Sequence, residues 1–129
     1  MSDDTEIIDT IAAVQDGDLE AIRGVLADRT VSPNAKDNDG CTLLHWAAIN
    51  NRVAIAKILI EYGANFAGGG ILYESPLQWA MRKRYYAMAQ VLVERLHADL
   101  RHKSRQGLDV LHLVCRLGLK YRLVLLFFL

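Results

Sequence analysis

The sequence is poor in cysteine and proline, and it has no long hydrophobic run. Two cysteines and two prolines occur among its 129 residues. Cys41 and Cys115 lie far apart in helical patterns, which favours two reduced core residues over a disulfide. The longest apolar run, residues 123–129, is far shorter than the roughly 20 residues that cross a bilayer. The acidic first residues do not have the order of a signal peptide, so we expect a cytoplasmic protein without membrane contact of its own.

Residue patterns for catalysis are also missing. The chain has no paired carboxylates, no serine or cysteine nucleophile beside a base, and no cofactor fingerprint. The three glycines at 68–70 are not followed by the Gly-Lys-Ser/Thr of a phosphate-binding loop, so we interpret them as a flexible turn. These absences predict a protein that is not an enzyme and needs no cofactor.

The formal charge is zero overall but is unevenly distributed. Residues 1–40 contain ten acids and three bases, whereas residues 41–129 contain five acids and twelve bases. An elongated array would then have an acidic end and a basic end that steer a charged partner, although solvated helix faces explain the same charges more simply. The basic cluster at residues 82–84 has too few charges for nucleic-acid binding, so we expect no nucleic-acid partner.

A pattern recurs along the chain every 33 or 34 residues. Its clearest unit begins at residues 39–48 (Asp-Gly-Cys-Thr-Leu-Leu-His-Trp-Ala-Ala) and continues through an apolar stretch to Gly63. Related segments begin near residues 11, 75 and 107. Thr42 and Ser75 are suited to cap a first helix, and Gly63 is suited to end a second helix in a left-handed turn. A period of this length is typical of helical repeats that stack into an array.

This unit resembles the ankyrin repeat, which has a Thr-Pro-Leu-His-x-Ala-Ala helix start and a Gly-His turn. The resemblance implies an all-α ankyrin-repeat solenoid of about four helix-turn-helix repeats that form a single domain over residues 1–129. Gln78 replaces the usual His and Arg84-Tyr85 replaces Gly-His, so we expect a strained or reshaped turn in the third repeat. The approximate repeats, of which the last is truncated, are 5–37, 38–70, 71–104 and 105–129.

Two Cys/His pairs raise the question of a metal site. Cys41 and His45 are four residues apart, and His112 and Cys115 are three apart, so each pair could share a helix face. The ankyrin resemblance explains both histidines, because in such arrays they bond loop groups between repeats. The pairs would also lie two repeats apart, roughly 20 Å at about 10 Å for each helix layer. We therefore expect no metal site.

Two tryptophans are predicted to lie on one face of the array. Trp46 and Trp79 occupy equivalent positions, which form a ladder in successive repeats, and Asn50 and Lys83 follow four residues later on the same helix faces. Indoles pack well on proline rings, and an Asn amide pairs with peptide backbone. These four residues, called the tryptophan face below, therefore suit an extended peptide. The alternative, that both indoles fill gaps between repeats, is equally open.

A narrower resemblance concerns residues 43–52 (Leu-Leu-His-Trp-Ala-Ala-Ile-Asn-Asn-Arg), which are similar to a repeat of ankyrin-bearing palmitoyltransferases of the huntingtin-interacting type. Residues 75–82 are similar to the next repeat of that family. The resemblance implies recruitment of acylation substrates through a Gln-Pro-containing peptide, held at the Asn50 and Trp79 positions. It also implies a location on the cytosolic face of the Golgi or another endomembrane. The Asp-His-His-Cys catalytic segment does not occur in this chain.

Two other interpretations remain open. A free-standing ankyrin adaptor or inhibitor would bind protein partners through its acidic first repeat or its basic third repeat, and its affinity would fall steeply with salt. A folding fragment would have no function of its own, and its apolar residues 123–129 would drive self-association.

Overall fold

The computed structural model describes residues 2–64 and 74–96 of the chain. Their regular secondary structure is helical, with one isolated antiparallel bridge between Lys36 and Thr42 and no strand within the described ranges. The expected all-α class is confirmed. The six helices are α1 (Ser2–Asp16), α2 (Leu19–Ala27), α3 (Leu43–Ile49), α4 (Val53–Glu61), α5 (Pro76–Arg82) and α6 (Tyr86–Leu96).

The helices are arranged as three pairs in two layers. Helix α1 packs on α2, α3 on α4, and α5 on α6, and each pair is joined by a turn of a few residues. The first helices of the pairs, α1, α3 and α5, contact one another in that order, while α2, α4 and α6 form the second layer. The second and third pairs fall inside the predicted repeats 38–70 and 71–104, whereas the first pair begins at Ser2, before the predicted start at residue 5. The exact repeat boundaries stay a prediction, and the whole of the fourth predicted unit, 105–129, lies outside the described residues.

The N-terminal ends of α3 and α5 are closed by the predicted caps. The Thr42 hydroxyl accepts from the backbone N–H of His45 at 3.3 Å, and the Ser75 hydroxyl accepts from that of Gln78 at 3.1 Å. In return, the backbone N–H groups of the two capping residues donate to the His45 ring and to the Gln78 carbonyl oxygen. Gln78 therefore completes the same reciprocal capping box as the histidine that it replaces.

The turn inside each helix pair has the same left-handed backbone. Gly17 has φ +76°, Asn51 has φ +57° and Arg84 has φ +66°. Asparagine and glycine adopt this region readily, whereas arginine does so at a cost of about 1–2 kcal/mol. The third turn is therefore strained, as expected, but its backbone is not reshaped. Gly63, with φ +100°, ends α4 in the predicted left-handed conformation.

One apolar core runs through all three pairs. It includes fully buried side chains from every helix pair, among them Ile22, Leu44 and Met88. Ala47 of α3 and Ala80 of α5 are fully buried, and such small side chains allow close helix approach. Cys41 is fully buried, while Cys115 lies outside the described residues, so the reduced state of that pair stays a prediction.

None of the described helices is both long and apolar enough to cross a membrane. In the same ranges, no group of three or more His, Cys, Asp or Glu side chains is placed to hold a metal ion. His112 and Cys115 of the considered zinc set lie beyond these ranges, as do residues 123–129 and the glycines at 68–70.

Candidate peptide-binding face

The first helices leave one line of positions open to solvent. In α3, Trp46 and Ile49 are partly exposed, and all the remaining residues of the helix are buried. In α5, the same pattern leaves Trp79 and Arg82 partly exposed. Both indoles pack against the core cluster with part of their surface and keep the rest accessible. The structure thus combines the two interpretations of the tryptophans, since each one fills a gap and also contributes to the surface.

The Trp46 side chain is fixed by a hydrogen bond to the turn that precedes its helix. Its Nε1–H donates to Asp37 Oδ2 at 3.0 Å. The other carboxylate oxygen of Asp37 accepts from the backbone N–H groups of Asp39 and Cys41, both at 2.9 Å. One carboxylate therefore shapes the turn and orients the indole. A side chain fixed in this way loses little further freedom when a ligand packs on it.

Trp79 has no such bond. Its Nε1 is buried and has no hydrogen-bond partner among the described residues. Trp46 is nine residues after Asp37, and the residue nine before Trp79 is Gly70, which has no side-chain acceptor. Among the residues that the structure describes, only packing contacts position the second indole.

Asn50 is the C-cap of α3, and one hydrogen of its side-chain amide is bonded within the helix. Its Nδ2 donates to the Trp46 carbonyl at 2.9 Å, and that carbonyl also accepts from the Asn50 backbone N–H at 3.0 Å. Because a carbonyl can only accept, the contact fixes which end of the amide is the nitrogen. Oδ1 and the second amide hydrogen make no bond to any described residue, so both can pair with a peptide backbone.

Lys83 is the exposed C-cap of α5, in the position that Asn50 holds on α3. The guanidinium of the neighbouring residue Arg82 binds the carboxylate of Glu74 through both Nε and Nη2. Glu74 is 1% exposed, so this pair secures a buried charge at the start of α5. Within the basic cluster, Arg82 therefore has a structural role, whereas Lys83 is part of the tryptophan face.

Two side chains join neighbouring helix pairs beneath and beside this face. The His45 ring accepts from the Thr42 backbone N–H through Nδ1, so its proton is on Nε2, which donates to the Glu74 carbonyl at 3.1 Å. The Arg52 guanidinium donates to the Gln15 carbonyl through Nε at 3.1 Å and Nη2 at 2.6 Å.

Sequence reasoning missed Glu74, Arg52 and Asp37. The ankyrin resemblance pointed only to the histidine. A signal was present for Asp37, which is an acid four residues before Cys41 in a turn, but no sequence pattern indicated which side chain it would bind.

Comparison with known proteins agrees with this architecture. A family model described as ankyrin repeats in three copies matches residues 10–104, and the chain therefore belongs to the ankyrin-repeat family. The Asp-His-His-Cys segment of the palmitoyltransferases does not occur in this sequence.

Among curated proteins the chain is similar to ankyrin-bearing palmitoyltransferases, as its residues 43–52 indicated. It is 38% identical to Palmitoyltransferase Hip14 of Drosophila melanogaster over 106 residues, which is 81% of this chain and 16% of the relative. It is 38% identical over 112 residues to Putative palmitoyltransferase ZDHHC13 of Danio rerio, covering 86% of the chain and 17% of that protein. Palmitoyltransferase ZDHHC17 of Rattus norvegicus is 38% identical over 93 residues, which cover 71% of this chain and 15% of that protein. The chain thus spans about one-sixth of the length of these relatives.

Proposed function

We propose that this chain is a substrate-recruiting ankyrin module of the palmitoyltransferase type, which binds an extended, proline-containing peptide segment on the tryptophan face. The observation that carries the proposal is the pairing of two partly exposed indoles with an Asn50 amide whose Oδ1 and second hydrogen bond to no other described residue. Indole surface supplies stacking area for a proline ring, and the amide supplies hydrogen bonds to backbone. Such a module acts on the cytosolic side of an endomembrane.

The similarity to palmitoyltransferases supports the same proposal independently of the geometry. The three relatives named above are all palmitoyltransferases, and the similar region is the one that carries the tryptophan face. The charged surfaces support the alternative of a free-standing adaptor. An adaptor of that kind would depend on exposed charges and would lose affinity steeply as salt is raised.

A peptide-binding experiment separates these functions. A fluorescently labelled peptide with a Gln-Pro core is titrated with the wild type and with Trp79→Ala and Asn50→Ala, and polarisation is recorded. Each substitution should weaken binding by about 1–3 kcal/mol, which is roughly a 5- to 150-fold rise in Kd. Lys57→Ala, an exposed position on α4 in the other layer, is the matched control and should leave Kd unchanged.

Folding of each variant is checked by its thermal unfolding midpoint, because Asn50→Ala also removes the bond to the Trp46 carbonyl. Wild-type binding that survives both substitutions in folded protein would refute the site. Binding that disappears with moderate salt but tolerates Trp79→Ala would favour the adaptor.

A further inference from the structure

At the C-terminal ends of α1, α3 and α5, the side chains change from acidic to neutral to basic. Asp16 is the final residue of α1, and Asn50 and Lys83 are the C-caps of α3 and α5. These positions correspond to one another at the 33–34-residue repeat spacing. Asp16 and Lys83 are exposed, and Asn50 is partly exposed between them. An acid, an amide and a base therefore follow one another along the edge of the tryptophan face.

The contact order of the helices sets the spacing of these charges. Helix α3 lies between α1 and α5 and contacts both. Packed helix axes are about 8–10 Å apart, so the two end positions are separated by roughly 20 Å. An extended peptide advances about 3.3 Å per residue, so roughly six residues bridge that distance.

Neither end charge is paired within the part of the chain that the structure describes. In the described ranges, the ion pair within 4 Å is that of Arg82 with Glu74, and no such contact involves Asp16 or Lys83. The Arg52 guanidinium is held by two hydrogen bonds on the carbonyl of Gln15, the residue before Asp16. It weakens the negative potential at this end without pairing with the carboxylate.

We propose that the tryptophan face selects a dipolar peptide, with a basic residue over Asp16 and an acidic residue over Lys83, about six residues apart. This inference rests on the proposed function and adds an orientation to it. A Gln-Pro core is asymmetric, and in this proposal it occupies the indoles and the amide in one chain direction. In that direction the end charges favour one charge order, because a peptide with its Lys and Glu exchanged places like charges together.

Two labelled peptides test the inference. Both contain a central Gln-Pro, and their charged residues are six positions apart, with Lys before and Glu after the core in one and the reverse in the other. The wild type should prefer one peptide at least about fivefold, and the preference should shrink at high salt. The double variant Asp16→Lys/Lys83→Glu should prefer the other peptide. Both positions are exposed, so the swap leaves the core intact.

The controls separate failure of the inference from failure of the proposed function. Trp79→Ala should weaken binding of both peptides by the same factor and leave their ratio unchanged. A peptide pair with charges only two positions apart should show no preference. Equal Kd values for the six-spaced pair, or a preference that does not reverse in the swapped variant, would overturn the inference while peptide binding stands. Failure of the wild type to bind either peptide would refute the proposed function and this inference together.

Discussion

Trp46 and Trp79 occupy the same position in consecutive repeats and have similar burial, yet one polar contact distinguishes them. The Trp46 indole N–H bonds to Asp37, whereas the corresponding atom of Trp79 is buried without a partner among the described residues. A hydrogen bond to a charged group contributes about 1.5–3 kcal/mol, and a buried unpaired donor costs free energy. The two indoles should therefore respond differently to loss of the N–H.

We predict that Trp46→Phe lowers the free energy of unfolding by about 1.5–3 kcal/mol more than Trp79→Phe does. Both substitutions remove similar indole area, so their difference isolates the hydrogen bond, and each protein is the control for the other. Urea denaturation followed by circular dichroism at a common temperature gives the two values. Equal losses would show that the Asp37 contact contributes nothing to stability. Trp79→Phe should also retain most peptide binding, since an aromatic face remains.

The tryptophan ladder was predictable from the sequence because it follows directly from the repeat period. The division of each indole between core and surface was not, because residue type favours both locations equally. The contact between Asp37 and Trp46 could not be predicted from the sequence either, because it depends on how the turn before α3 folds back on the helix. Similarly, the pairing of Arg82 with buried Glu74 could not be read from a run of three basic residues.

At the scale of the elements, the helix pairs depend on their left-handed turns. Thr42 and Ser75 were identifiable as caps because capping chemistry is local. The backbone of Arg84 could not be predicted in the same way, because local propensity disfavours a positive φ for arginine. Tertiary packing of α5 on α6 holds this arginine in the left-handed region despite its cost.

Two glycines of the first helix pair should respond in opposite directions to the same substitution. Gly17 has φ +76°, and a Cβ there would lie 3.2 Å from the Arg52 guanidinium, so Gly17→Ala should destabilise the fold by about 1–2 kcal/mol. Gly24 lies inside α2, and a Cβ there meets nothing within 4 Å. Gly24→Ala should stabilise by about 0.5–1 kcal/mol. Shifts of the same sign in the urea midpoint would contradict this account.

At the scale of the whole molecule, stability is distributed among helix pairs and the interfaces between them. A stacked array behaves approximately as a sum of repeat stabilities and nearest-neighbour interface energies. The interface of the first two pairs includes the bonds from Arg52 to the Gln15 carbonyl, and that of the second and third includes the bond from His45 to the Glu74 carbonyl. Loss of one polar bridge should therefore loosen one interface and leave the other intact.

Arg52→Ala tests this locality. It removes two charge-assisted bonds to the end of α1 and should lower the free energy of opening of α1 and α2 by about 1 kcal/mol, equivalent to roughly fivefold faster amide exchange there. Protection in α5 and α6 should stay near the wild-type value in native-state hydrogen exchange. Arg23→Ala, an exposed site on α2, is the matched control and should change neither region. An equal loss of protection in all helices would mean instead that the array unfolds as one cooperative unit, in which the Arg52 bridge supports every repeat at once.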